Sequence, residues 1–122
     1  MTVVLDASAV LTFLGDEDGA DRVAGALEGE TCCSAASWSE VAQRILARGY
    51  DLDLVRSLLA GYGLRIEPVT VNDAEWAARR WRRGESLSLA DRLCMALAER
   101  LDTDVLTADT AWGATGRVRQ IR

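Results

Sequence analysis

Val3-Val4-Leu5-Asp6-Ala7-Ser8, near the start of the chain, decides the fold. Val, Val and Leu in succession make a stable strand only where both faces are covered, which is the situation inside a parallel sheet. The run ends on a carboxylate, and Ala7–Leu14 continues as a helix. Outward from there the same alternation recurs. A helix over roughly Asp18–Leu27 leads to a small strand at Thr31–Ala36. Helices follow at Trp38–Arg48, stopped by Gly49, and at Leu52–Ala60, stopped by Gly61 and Gly63. Leu64–Glu67 is a strand ended by Pro68, and Asn72 or Asp73 caps a helix reaching about Arg83. Ser88–Leu101 is the most regular helix, and Asp104–Ala108 the next strand. A turn at Ala111–Gly113 precedes an edge strand at Val118–Ile121. Strands alternating with helices predict an α/β fold, a three-layer α/β/α sandwich with a mostly parallel central sheet.

The 122 residues are most simply one domain, 1–122. With 49% hydrophobic and 27% charged residues, such a chain builds a globular core without disulfides or structural metal. All 14 basic residues are arginine and histidine is absent, which excludes lysine and histidine chemistry. Against 19 acids the formal charge is −5, so any RNA or DNA contact would have to come from a local arginine patch. No signal peptide is recognisable, and no apolar run reaches the ~20 residues of a spanning helix, so a cytoplasmic location without membrane contact is expected. Cys32, Cys33 and Cys94 suit a reducing compartment; without histidine or a CxxC spacing they are expected in the core, not on zinc.

Four acids fall where a parallel sheet gathers ligands, at the carboxyl ends of its strands. Asp6 follows the first strand, and Glu40 lies in the first turn of the helix after the second. Asp109 follows Val105-Leu106-Thr107-Ala108, and Asp91 opens the helix that crosses back to that strand. Cys94, Met95 and Ala98, one helical turn and two beyond Asp91, are apolar, whereas Arg92, Glu99 and Arg100 form the polar stripe. Asp91 therefore points with the buried side, where a bare carboxylate is costly and a divalent cation is one remedy. Each acid also has a purely structural reading. Asp6 and Asp109 can cap the turns they precede, Ser88-Leu89-Ala90-Asp91 fits a capping box, and Glu40 can pair with Arg44. Four acids on one rim without histidine best fit phosphodiester cleavage dependent on Mg²⁺ or Mn²⁺, hard cations that take carboxylates and water. Without metal the clustered acids repel, and at least one carboxyl is expected to be raised.

Val-Leu-Asp-Ala-Ser-Ala at 4–9, Trp-Ser-Glu-Val at 38–41, Ser-Leu-Ala-Asp-Arg-Leu-Cys-Met-Ala-Leu-Ala at 88–98 and Val-Leu-Thr-Ala-Asp at 105–109 together resemble the PIN-domain family. Within it they are most similar to VapC-type ribonuclease toxins of bacterial toxin–antitoxin pairs, over nearly the whole chain. The resemblance implies a PIN-like fold and a catalytic, metal-binding quartet of Asp6, Glu40, Asp91 and Asp109, holding one or two Mg²⁺ or Mn²⁺ ions. Ser8 and Thr107 match polar positions that support the site by hydrogen bonding. The implied reaction is endonucleolytic RNA hydrolysis by metal-activated water, often at a tRNA or ribosomal RNA loop. The implied assembly is a homodimer silenced by a cognate VapB-like antitoxin.

Arg79-Arg80-Trp81-Arg82-Arg83 is the one dense basic run. Arg79, Arg80, Arg82 and Arg83 are candidate RNA-phosphate ligands with Trp81 as a stacking face; equally, arginines favour a helix C-terminus. Arg117, Arg119 and Arg122 form a weaker patch, and Trp76 is expected in the core. Apolar positions on the helices between Asp18 and Ala60 are expected to serve the dimer and the antitoxin. Receiver-domain and dehalogenase-type phosphatase readings fail for want of lysine, and serine or cysteine hydrolase readings for want of a base. The rival from another class is a non-catalytic PIN-like module that binds RNA or protein.

Overall fold

The computed structural model describes residues 2–122. Strand β1 (Thr2–Leu5) leads into α1 (Ala7–Leu14) and α2 (Ala20–Leu27), then β2 (Glu30–Ser34), α3 (Ala35–Ala47) and α4 (Leu52–Gly61). Next come β3 (Leu64–Glu67), α5 (Val71–Arg80), α6 (Leu89–Arg100) and β4 (Val105–Thr107), a 3-10 turn at Thr110–Trp112, and β5 (Val118–Gln120). The strands form one sheet in the order β3-β2-β1-β4-β5, and every neighbouring pair is parallel. The three-layer α/β/α architecture is thus present, and the sheet is parallel throughout rather than mostly so. Strand order reverses at β1, which places its carboxyl end at the switch point where such sheets open a crevice.

Pleating sorts the interior into two cores. Leu5, Cys33 and Leu106 pack with Ala9, Val10, Val23, Val41 and Ile45 of α1, α2 and α3. Val4, Cys32, Val105 and Val118 pack on the other face with Cys94, Leu97 and Ala98 of α6, and α5 lies against α6. The adjacent Cys32 and Cys33 therefore serve opposite cores. All three cysteines are free and buried, and burial pushes Cys32 up to about 11 and Cys33 to about 12, which keeps both as inert thiols.

Element ends differ from expectation where capping decides. Helix α2 starts at Ala20 because Gly19 adopts φ 100°, and a Cβ there would come 2.8 Å from the Ile121 carbonyl. Helix α3 starts three residues earlier than predicted, since the Ser34 hydroxyl accepts from the Ala36 N–H at 3.1 Å. Glu40 consequently lies in the second turn of α3, not the first. Helix α5 is capped by Thr70 rather than Asn72 or Asp73. The Thr70 hydroxyl accepts from the Asp73 N–H while the Asp73 carboxylate accepts from the Thr70 N–H, both at 3.1 Å. It ends at Arg80, where Trp81 turns to extended backbone, so Arg82 and Arg83 lie outside it. Trp76 is half-buried, not core, because α5 sits outside α6 and not on the sheet. Among the described residues no helix is long and apolar enough to cross a membrane.

Candidate active site

Asp6 is the pivot of the site. Its N–H donates to the Leu106 carbonyl at 3.1 Å, continuing the ladder between β1 and β4. Its Oδ1 caps α1 by accepting from the Ala9 N–H at 2.8 Å, and the residue is only 4% exposed. Two hydroxyls lock the carboxylate. Ser8 Oγ donates to Oδ1 at 2.7 Å and accepts from the Ala108 N–H at 2.8 Å. Thr107 Oγ1 donates to Oδ2 at 2.5 Å and accepts from the Asp109 N–H at 2.9 Å. Each hydroxyl proton thus goes to Asp6 while its lone pair holds the chain leaving β4, so Ser8 and Thr107 fix Asp6 and the approach to Asp109 together.

The other acids keep structural duties as well. Asp91 forms the expected capping box: its N–H donates to Ser88 Oγ, and its Oδ2 accepts from the Ser88 N–H, both at 3.0 Å. Asp109 caps the 3-10 turn by accepting from the Ala111 N–H at 2.9 Å. Glu40 does not make the alternative pair with Arg44; among the described residues no ion pair or hydrogen bond engages the Arg44 side chain.

All four carboxylates line one cavity of about 350 Å³ at the carboxyl edge of the sheet, together with Ser8, Gln43 and Arg44. Burial, reinforced by the charge of Asp91, pushes the Asp6 carboxyl up to about 6 even though Thr107, Ser8 and the Ala9 N–H pull it down. Partial burial, and then Asp91, raises Glu40 as well. The acids line the cavity without closing on one point: among the described residues no three of them are close enough to hold a metal ion between them. That arrangement suits a hard hydrated cation such as Mg²⁺, which takes one or two carboxylates and fills its octahedron with water and substrate oxygens. It does not suit a cation that needs a full set of protein ligands.

The arginine run stands apart from this cavity. Arg79 pairs with Glu75 at 3.6 Å, and Arg80 grips Glu85 bidentately at 2.6 and 3.0 Å. Arg82 donates to the carbonyls of Arg79 and Trp81, and Arg83 lies over the Trp81 ring. The C-terminal arginines are also engaged, Arg117 by Glu99 and Asp102, Arg119 by Asp104 and Arg122 by the Asp18 carbonyl. The cavity's own cation, Arg44, is legible in the sequence only as a partner for Glu40. The signal that places it in the cavity is the stripe Glu40, Gln43, Arg44, Ala47, the i, i+3, i+4, i+7 face of α3.

A doubly wound parallel α/β domain with an acidic crevice at its switch point defines the class. The PIN domain family model matches residues 3–118, and the chain belongs to that family. Among solved structures, a toxin–antitoxin complex from Klebsiella pneumoniae superimposes with a TM-score of 0.79 at 17% identity, covering 98% of each chain. DNA-bound VapBC from Salmonella typhimurium gives 0.73 at 13% identity, covering 100% of this chain and 99% of that one. VapC20 of Mycobacterium tuberculosis, a toxin that cleaves the sarcin–ricin loop, gives 0.69 at 14% identity over 96% and 98%. At such identities the likeness is one of fold. No curated protein matches in sequence.

Proposed function

We propose that this chain is a metal-dependent endoribonuclease, the toxin of a toxin–antitoxin pair. One observation carries the reading. Four carboxylates from four distant segments line a single cavity in a chain without histidine or lysine. The fold neighbours support it, since they include toxin–antitoxin complexes and an RNA-cleaving toxin.

Asp6, Glu40, Asp91 and Asp109 would hold one or two Mg²⁺ or Mn²⁺ ions. Bound there, the cation supplies an acidified water and positive charge against the scissile phosphate. Asp6, buried and fixed by Ser8 and Thr107, would be the anchoring ligand, with Asp91 beside it. Glu40, on the open side of the cavity and with a raised carboxyl, is placed to orient the attacking water and take its proton. Asp109 lines the same cavity and would ligate a second ion or help to position the water. The water oxygen would bond to phosphorus as its proton passes to Glu40, one P–O ester bond would break, and the departing oxygen would take a proton from solvent water.

The proposed partners are a structured RNA such as a tRNA or ribosomal loop, a second copy of the chain, and a VapB-like antitoxin, all in the cytoplasm. Leu46, Tyr50, Leu54, Leu58 and Tyr62 stand exposed on α3, α4 and the turns that follow them, apolar surface in keeping with a protein partner. Incubating total bacterial RNA with purified protein in Mg²⁺, in Mn²⁺ and in chelator tests the proposal, with Asp91→Asn as the control for contaminating ribonuclease. Discrete fragments that require metal and disappear in the variant are expected. Metal binding without cleavage would move the non-catalytic binding module to the front.

A further inference from the structure

We propose that Arg44 is the phosphate-binding residue of the acidic cavity, its guanidinium gripping an RNA phosphate next to the scissile bond and setting where the strand lies. This inference rests on the nuclease reading and adds the residue that overcomes the site's charge problem. Five charged side chains line the cavity, and four are carboxylates. One divalent cation leaves such a set net negative, and the whole chain carries −5, so neither the local nor the global field draws in a polyanion. Arg44 is the remaining charge. It sits one turn beyond Glu40 on the face of α3 that lines the cavity, with Gln43 beside it and the small Ala47 leaving room a turn further on.

Free donors at the cavity wall set it apart: Arg22, Arg48 and Arg56 also lack side-chain partners among the described residues, but none of them lines the cavity. Arg79, Arg80, Arg100, Arg117 and Arg119 are all tied to carboxylates. Arg44 is exposed and, among the described residues, holds neither an ion pair nor a hydrogen bond, although Glu40 lies at i−4 in the favourable orientation. Its planar donor fork therefore stays available at the cavity wall, where it matches the two non-bridging oxygens of a phosphate. The dense run at 79–83 lies outside the cavity and has its donors largely engaged.

The test compares wild type with Arg44→Ala and Arg44→Lys, and with Arg22→Ala, a distant exposed site with the same charge change. Cleavage kinetics are read across a salt series. Arg44→Ala is expected to raise KM about tenfold with kcat within about twofold, the loss of one charged hydrogen-bonded contact. The plot of log(kcat/KM) against log salt becomes shallower by about 0.7, one single-stranded phosphate contact fewer. Arg44→Lys keeps the wild-type salt slope and recovers only part of KM, while Arg22→Ala matches wild type. An unchanged KM and slope in Arg44→Ala overturns the proposal, as does a loss confined to kcat. Binding of a labelled oligoribonucleotide in chelator is measured alongside. If wild type fails to cleave RNA, the nuclease reading falls, yet about tenfold weaker binding by Arg44→Ala still supports the contact. Equal binding by the two proteins overturns it.

Discussion

Replacing Asp6 with asparagine isolates the energetic cost of the buried carboxylate on which the metal reading depends. In the folded chain the Asp6 carboxyl titrates at about 6, against an ordinary 3.8, so the native state holds its proton more tightly than the unfolded state. The stabilisation from that proton is complete below the ordinary value and disappears as pH rises through about 6. From 3.8 to about 6, at about 1.4 kcal/mol per pH unit, the metal-free protein loses about 3 kcal/mol. For a domain of this size that corresponds to roughly 10 °C in melting temperature. Asparagine has no charge to bury, keeps Oδ1 for Ser8 and the Ala9 N–H, and can donate to Thr107 Oγ1. Urea denaturation of both proteins between pH 4 and 7.5, in chelator and in Mg²⁺, reads the difference. In chelator, wild type should lose about 3 kcal/mol relative to Asp6→Asn across this range; in Mg²⁺ it should regain stability near neutrality, and the variant should not. A difference that is flat in pH, or equal stabilisation of both proteins by metal, would refute the reasoning.

Other substitutions probe the surrounding structure. Thr107→Val removes the donor to Asp6 and the acceptor for the Asp109 N–H, and should cost about 2 kcal/mol by urea denaturation. It should also raise the Asp6 carboxyl further, so a pH series of Mg²⁺ titrations should show binding beginning at higher pH. Arg100→Ala strands Asp73, which is only 3% exposed and is held below its ordinary range by Arg100 against the effect of burial. It should cost about 2 kcal/mol at neutral pH, with the penalty fading as acid protonates Asp73. Leu97→Ala, in the core under α6, should cost about 3 kcal/mol in the same assay. None of the three cysteines should react with a thiol reagent until the chain is unfolded, because all are buried and Cys32 and Cys33 are raised.

The long elements were legible because their signals are local. The β1 run announces a strand covered on both faces, and Ser88-Leu89-Ala90-Asp91 announces the start of α6, where the capping box forms. That Asp6, Glu40, Asp91 and Asp109 share a cavity followed from one rule about strand ends, which needs topology but no side-chain detail. Where a single hydroxyl or glycine decides, local pattern was too weak. Ser34 reads equally as strand and as cap, Gly19 lies where the distant Ile121 carbonyl leaves no room for a Cβ, and Thr70 outcompetes Asn72 as the cap of α5. Ser8 and Thr107 illustrate a different limit. Their hydroxyls meet on Asp6 only because β1 and β4 are neighbours; the 98 residues between them carry no local trace of it, and only the family resemblance pointed to the pair. Arg44 was visible as a helical neighbour of Glu40, but whether it pairs with that acid or faces the cavity depends on how α3 is rotated against α1.

Whether these carboxylates direct water at an RNA phosphodiester is tested most directly by end-group analysis of the fragments made in Mg²⁺. Water as nucleophile leaves one monophosphate end and one hydroxyl end, with no 2′,3′-cyclic phosphate, and chelator or Asp91→Asn should abolish both. Cyclic phosphate ends would mean that the RNA's own 2′-hydroxyl is the nucleophile, and fragments that persist in chelator would mean that the acidic cavity is not the seat of the reaction.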